Sequence, residues 1–116
     1  VGGNPLDLHT VQEWEKRFYG KQGWKDLPPY IRVGFLMEEA GEVARAVRTY
    51  EIGRDHHPEE GKKTQEEIRQ NLSEEIGDMI SNLAILANLY QLNLEDAVKA
   101  HRQKLCNRFN CEEEEF

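Results

Sequence analysis

The sequence predicts an all-α fold, a four-helix bundle, on three observations. Apolar residues recur at three- and four-residue spacing in four separate segments, no useful stretch alternates with the two-residue period of a strand, and Gly-, Pro- and Asn-bearing connections divide the segments. Its 116 residues fit one domain, placed at 1–111, with 53–63 as an inserted loop and 112–116 as an acidic tail.

The first helix is expected to start at Asp7, a suitable N-cap, and to carry Val11, Trp14, Glu15 and Phe18 before ending between Gly20 and Gly23. Pro28 and Pro29 open the second, because a proline at the first helical position lacks only an N–H that has no partner there anyway. That helix carries Phe35, Leu36, Val43, Ala44 and Val47. The stretch GRDHHPEEGKK over 53–63 is nearly devoid of apolar residues and reads as a solvent loop, with His56 and His57 as loop residues rather than a metal pair. A third helix follows from Thr64 to about Tyr90. Asn93 with Asp96 resembles a capping box for a fourth, which ends near Phe109.

No apolar run approaches the length that spans a bilayer, and no secretory leader is visible, so the expected compartment is the cytoplasm, without a membrane partner. A net charge of −7 argues against a nucleic-acid polymer as partner, since affinity for a phosphate backbone rests on dense Lys and Arg. An acidic protein that handles phosphates needs cations as intermediaries. Cys106 and Cys111 lack the second pair that a zinc site would require, and the run Glu112–Glu115 is expected to be a solvated, mobile end.

The informative anomaly is where the carboxylates point. On the second helix Leu36, Glu39, Val43 and Val47 step by three, four and four, which puts Glu39 inside the apolar stripe with Glu38 and Glu42 flanking it. On the third, Leu72, Ile76, Met79, Leu83, Leu86 and Tyr90 form one row and Glu75, Asp78, Asn82, Ile85 and Leu89 an adjacent one. The two rows define one wide arc that should be buried. Ser73, Gly77, Ser81, Ala84 and Asn88 lie opposite, suited to exposure or to close helix contact. Buried like charges cost several kcal/mol, on the order of the desolvation penalty per ion, and need compensation. With no basic residue interleaved in the row, the remaining candidates are protonation and a divalent cation. Mg²⁺, which takes oxygen ligands and keeps water while holding phosphates, suits such a ridge better than zinc, with Mn²⁺ as a possible substitute.

The acids at 38–42 (EEAGE) and 75–78 (EIGD) resemble the E-E-x-x-E and E-x-x-D motifs of the MazG-like nucleotide pyrophosphohydrolases. The similarity extends from Ser73 to Phe109, including a K-x-x-N-R ending at Lys104, Asn107 and Arg108, and in character to Leu8–Trp24. Residues 43–74 separate the two motifs, a longer span than this family usually shows, which leaves the subfamily and the preferred base open. The resemblance implies hydrolysis of a nucleoside or deoxynucleoside triphosphate between its α and β phosphates. It implies Mg²⁺ ligation by Glu39, Glu42, Glu75 and Asp78, with Glu38 as a further ligand or as the group that orients the attacking water.

Lys104 and Arg108, one turn apart, either reach the substrate phosphates or complement the helix dipole. Asn82 contacts substrate or serves as a bonded core amide, and Trp14, Phe18 and Trp24 stack on a base or fill the core. The wide apolar arc exceeds what one small bundle covers, so a homodimer or homotetramer is expected. The rivals are an all-α dUTPase-like enzyme, phosphoribosyl-ATP pyrophosphohydrolase and, from another class, a non-catalytic helical oligomerisation or regulatory module.

Overall fold

The computed structural model describes residues 6–24, 27–52 and 64–115. Four helices account for most of them: α1 (Leu8–Gln22), α2 (Pro29–Ile52), α3 (Gln65–Leu89) and α4 (Leu94–Phe109), followed by a 3-10 turn over Glu113–Glu115. No strand occurs among the described residues, so the all-α, four-helix expectation holds. The loop at 53–63, with His56 and His57, lies outside the described residues. No helix among them is long and apolar enough to cross a membrane.

Helices α1, α3 and α4 each start where a side chain supplies a partner for an unpaired N–H group. The Asp7 carboxylate accepts the Thr10 N–H at 2.7 Å, and the Asp7 N–H donates to the Thr10 hydroxyl at 3.0 Å. That backbone donor holds the Asp7 carboxyl below its ordinary range. Thr64 caps α3 through the Glu67 N–H at 3.1 Å, and Asn93 caps α4 through the Asp96 N–H at 3.0 Å. At the far end of α1, Gly23 takes φ 76°, a left-handed conformation that costs a glycine little, and closes the helix with its N–H on Gly20 O. Asn110 does the same for α4 at φ 56°, which brings the Cys111 N–H onto Cys106 O at 2.9 Å. This reversal leads into the 3-10 turn over Glu113–Glu115 beside α4, with Glu112, Glu113 and Glu114 exposed, in keeping with a solvated end.

The main packing is α2 against α3, with α1 on a second side of α3 and α4 resting chiefly on α1. Ala84 has no exposed area and Ala87 little, so α3 offers α1 a small-residue face that admits a second helix closely. Both roles expected for this side are adopted: Ser73 and Gly77 are exposed, while Ser81, Ala84 and Asn88 turn toward close helix contact. A buried amide stitches this junction. Gln12 donates through Nε2 to Asn88 Oδ1 at 3.0 Å and to Leu92 O at 2.9 Å, accepts the Leu94 N–H at 2.8 Å, and receives Asn88 Nδ2 on its main-chain oxygen at 3.0 Å.

The wide arc on α3 is buried only in part, with Asn82 and Ile85 inside and much of the outer row exposed, and this corrects the sequence reading of an arc buried throughout. Ile76, Ile80, Leu83 and Tyr90 are exposed, while burial falls on Ile68, Asn82, Ala84, Ile85 and Ala87. The cause is the position of α4, which leans on α1 and has no buried residue, so nothing among the described residues covers the outer row. The radius of gyration is 17.6 Å, against about 13 Å for a compact domain of this length. Trp14, Phe18 and Trp24 are likewise exposed rather than core, although Trp14 stacks on Phe18 and Phe18 meets Trp24 edge to face.

Candidate metal centre

Three carboxylates from two helices meet between α2 and α3. Glu39, Glu75 and Asp78 each offer an oxygen, and these oxygens lie within 4.8 Å of one another. The helical repeat sets Glu75 and Asp78 one turn apart on one face, and the neighbouring helix brings Glu39 against them. Glu39 and Glu75 are half-buried and Asp78 is exposed, so the group opens to solvent on the Asp78 side.

Two features mark the cluster as electrostatically unsettled. Oxygen Oε2 of Glu39 is buried and has no hydrogen-bond partner, a condition that leaves a buried acceptor uncompensated. The carboxyl of Glu75 is pushed above its ordinary range by desolvation first, then by its hydrogen bond with Glu39 and by the charges of Glu39, Asp78 and Glu42. An all-oxygen donor set with an unpartnered carboxylate oxygen fits a hard divalent cation and lacks the nitrogen and sulfur ligands that zinc sites favour.

This shift has a testable sign. Folded Glu75 holds its proton more tightly than it would in the unfolded chain. Its stabilising contribution is therefore complete below the ordinary value of 4.5 and is lost as pH rises through the raised value. With EDTA present, the Tm of the wild type should fall relative to that of Glu75→Gln as pH rises across that window. A wild type that gains stability relative to Glu75→Gln as pH rises would refute the assignment. Adding a divalent cation should restore stability to the wild type alone.

The other expected site residues are placed as follows. Glu42 is exposed and outside the three-oxygen group, though close enough to act on Glu75; Glu38 is exposed one position before Glu39. Asn82 is buried with both ends of its amide engaged, Oδ1 accepting from Arg32 Nη1 at 2.8 Å and Nδ2 donating to Asp78 O at 2.9 Å, the bonding of a core amide. Lys104 and Arg108 are exposed on α4, whose main neighbour is α1 and not the acid-bearing helices. Trp14 stacks on Phe18 at 5.1 Å and faces Ser81 across the α1–α3 groove, without joining the acids.

Sequence reasoning passed over Arg32. It occupies the same α2 stripe as Leu36, Glu39 and Val43, two turns ahead of Glu39, and its guanidinium bonds Asn82 in the acidic row of α3. The cation comes from the facing helix and bonds an amide rather than an acid, so the reading that no basic residue is interleaved in the acidic row of α3 stands. A charge at an apolar-stripe position was the signal that exposed Glu39, and the same test applied one step earlier would have found Arg32.

Residues 32–111 match the model of the MazG nucleotide pyrophosphohydrolase domain, a span that contains every acid of the cluster. The chain is 56% identical over 104 residues to YvdC of Bacillus subtilis (strain 168), covering 90% of this chain and 97% of that protein. It is 30% identical over 105 residues to YpjD of the same organism, covering 89% and 83% respectively.

Proposed function

This chain belongs to the MazG nucleotide pyrophosphohydrolase domain family, and on that premise we propose that it hydrolyses a nucleoside or deoxynucleoside triphosphate at the α–β bond, releasing monophosphate and pyrophosphate. The observation that carries this reading is the convergence of Glu39, Glu75 and Asp78 around an unpartnered buried oxygen. Glu42, whose charge acts on Glu75, completes the proposed ligand set. Mg²⁺, or Mn²⁺ in its place, would neutralise charge on the phosphates and make water easier to deprotonate.

The residues divide the remaining work. Glu39 and Glu75, half-buried, hold their carboxylates in a fixed spacing and are relieved of mutual repulsion when the cation is held. Asp78, on the open side, faces the direction from which a triphosphate enters. Exposed Glu38 is assigned to orient the attacking water or to accept its proton. Phosphoryl transfer asks for this kind of positioning and charge neutralisation more than for a strong protein nucleophile.

Lys104 and Arg108 are assigned to the phosphates across an interface between copies. The support is twofold: α4 does not lie over the acids of its own chain, and the exposed row Ile76, Ile80 and Leu83 runs along the acid-bearing helix. Trp14 is retained as a candidate for contact with the base.

The test is pyrophosphate release from the eight common NTPs and dNTPs with Mg²⁺, against an EDTA control. Release from at least one, abolished by EDTA, is expected. No release from any, together with no Mg²⁺-dependent rise in Tm, would return the chain to a non-catalytic helical module.

A further inference from the structure

We propose that Arg32 is a positioning residue that sets the geometry of the acidic centre through Asn82. The inference rests on the reading of that centre as a Mg²⁺ site. Four groups form one continuous relay. Arg32 Nη2 donates to the Tyr19 hydroxyl at 3.3 Å and Nη1 to Asn82 Oδ1 at 2.8 Å, and Asn82 Nδ2 donates to the main-chain oxygen of Asp78 at 2.9 Å. The guanidinium also lies 5.2 Å from the Tyr19 ring centroid and 5.1 Å from that of Phe35, distances at which a cation is attracted to an aromatic face.

This relay couples three helices beside the acids, two turns from Glu39 along α2 and one turn from Asp78 along α3. Arg32 and Glu39 share a face of α2, and Asn82 shares a face of α3 with Asp78 and Glu75. A slip of α2 along α3 by one residue, a rise of about 1.5 Å, would break the Arg32–Asn82 bond and carry Glu39 away from Glu75 and Asp78 together. The bond therefore fixes the register on which the three-oxygen cluster depends. Asn82 adds a second hydrogen bond to the carbonyl of the residue that bears the Asp78 carboxylate and so restrains that turn.

The choice of residue agrees with this role. A planar guanidinium serves two acceptors at fixed angles while stacking on rings, which a lysine ammonium cannot reproduce. Among the described residues, the buried side-chain polar atoms without partners are Arg32 Nε and Glu39 Oε2, both on this one face of α2. An apolar side chain at 32 would fill the stripe without an unpartnered donor, so packing alone does not explain an arginine there.

Positioning and plain electrostatics predict opposite signs. Removing a positive charge near a cation site strengthens cation binding if Coulomb attraction is all that matters. Loss of a group that orients metal ligands weakens it, by about 10-fold or more.

The experiment titrates Mg²⁺ by calorimetry and by thermal shift against wild type, Arg32→Met, Arg32→Lys, Asn82→Ala and the Arg32→Met/Asn82→Ala pair. Circular dichroism checks the helix content of each. Expected are a Mg²⁺ midpoint raised about 10-fold in each single variant lacking the relay, no further rise in the double variant, and partial retention in Arg32→Lys. Unchanged or tighter Mg²⁺ binding in Arg32→Met, or additive losses in the pair, would overturn the proposal while leaving the metal site intact. A wild type that does not respond to Mg²⁺ overturns both. Should Arg32→Met not fold, Arg32→Lys and Asn82→Ala carry the comparison.

Discussion

Glu39→Gln is expected to lose pyrophosphate release by about 10²-fold or more, since a cation that polarises a phosphoryl oxygen supplies several kcal/mol of transition-state stabilisation. The substitution keeps the shape of the side chain and removes its charge. It acts on the one acid of the cluster that has a buried, unpartnered oxygen. Without Mg²⁺ the variant should be at least as stable as the wild type, because an amide beside Glu75 can donate where a carboxylate repels. The Mg²⁺-dependent rise in Tm should disappear. Retained helix content with lost Mg²⁺ response separates a ligand from a folding residue, whereas wild-type activity would remove Glu39 from the centre.

Gln12→Leu has the largest expected effect on stability, about 2 kcal/mol, because buried Gln12 serves three part-buried partners that lose their bond at once. These are the Leu94 N–H at the first position of α4, the Leu92 carbonyl and Asn88 Oδ1. Leucine preserves the volume, so the loss reads as unmet hydrogen bonding rather than as a cavity. A fall in Tm on the order of 10 °C is expected, measured by calorimetry, with the Mg²⁺ response of the folded fraction kept. A variant as stable as the wild type would mean that water replaces the amide at this junction.

The two variants probe parts of the molecule that differed in how far the sequence disclosed them. Glu39 stood out because a carboxylate within the stripe of Leu36, Val43 and Val47 contradicts the logic of an amphipathic helix. Glu75 and Asp78 stood out by the same test on α3. Gln12 did not, since a polar residue beside Val11 on a half-apolar helix is ordinary until a second helix and a turn are placed against it. Arg32 was missed for a related reason: its meaning lies in Asn82 and Tyr19, far from it in sequence.

Composition and local pattern determined the helices themselves. Asp7, Thr64 and Asn93 carry their capping partners within three residues, and Gly23 supplies its own left-handed turn, so short-range chemistry defines where helices begin and end. The register of acids along each helix follows from the 3.6-residue repeat alone. Only the tertiary structure decided which faces meet. It put Ile76, Leu83 and Tyr90 outside and Ala84 inside, and it left α4 against α1. Periodicity defines an apolar arc on one helix but contains no information about how many neighbours are available to cover it. That depends on long-range contacts such as Gln12 with Asn88 and Arg32 with Asn82, which exist only once the chain has folded.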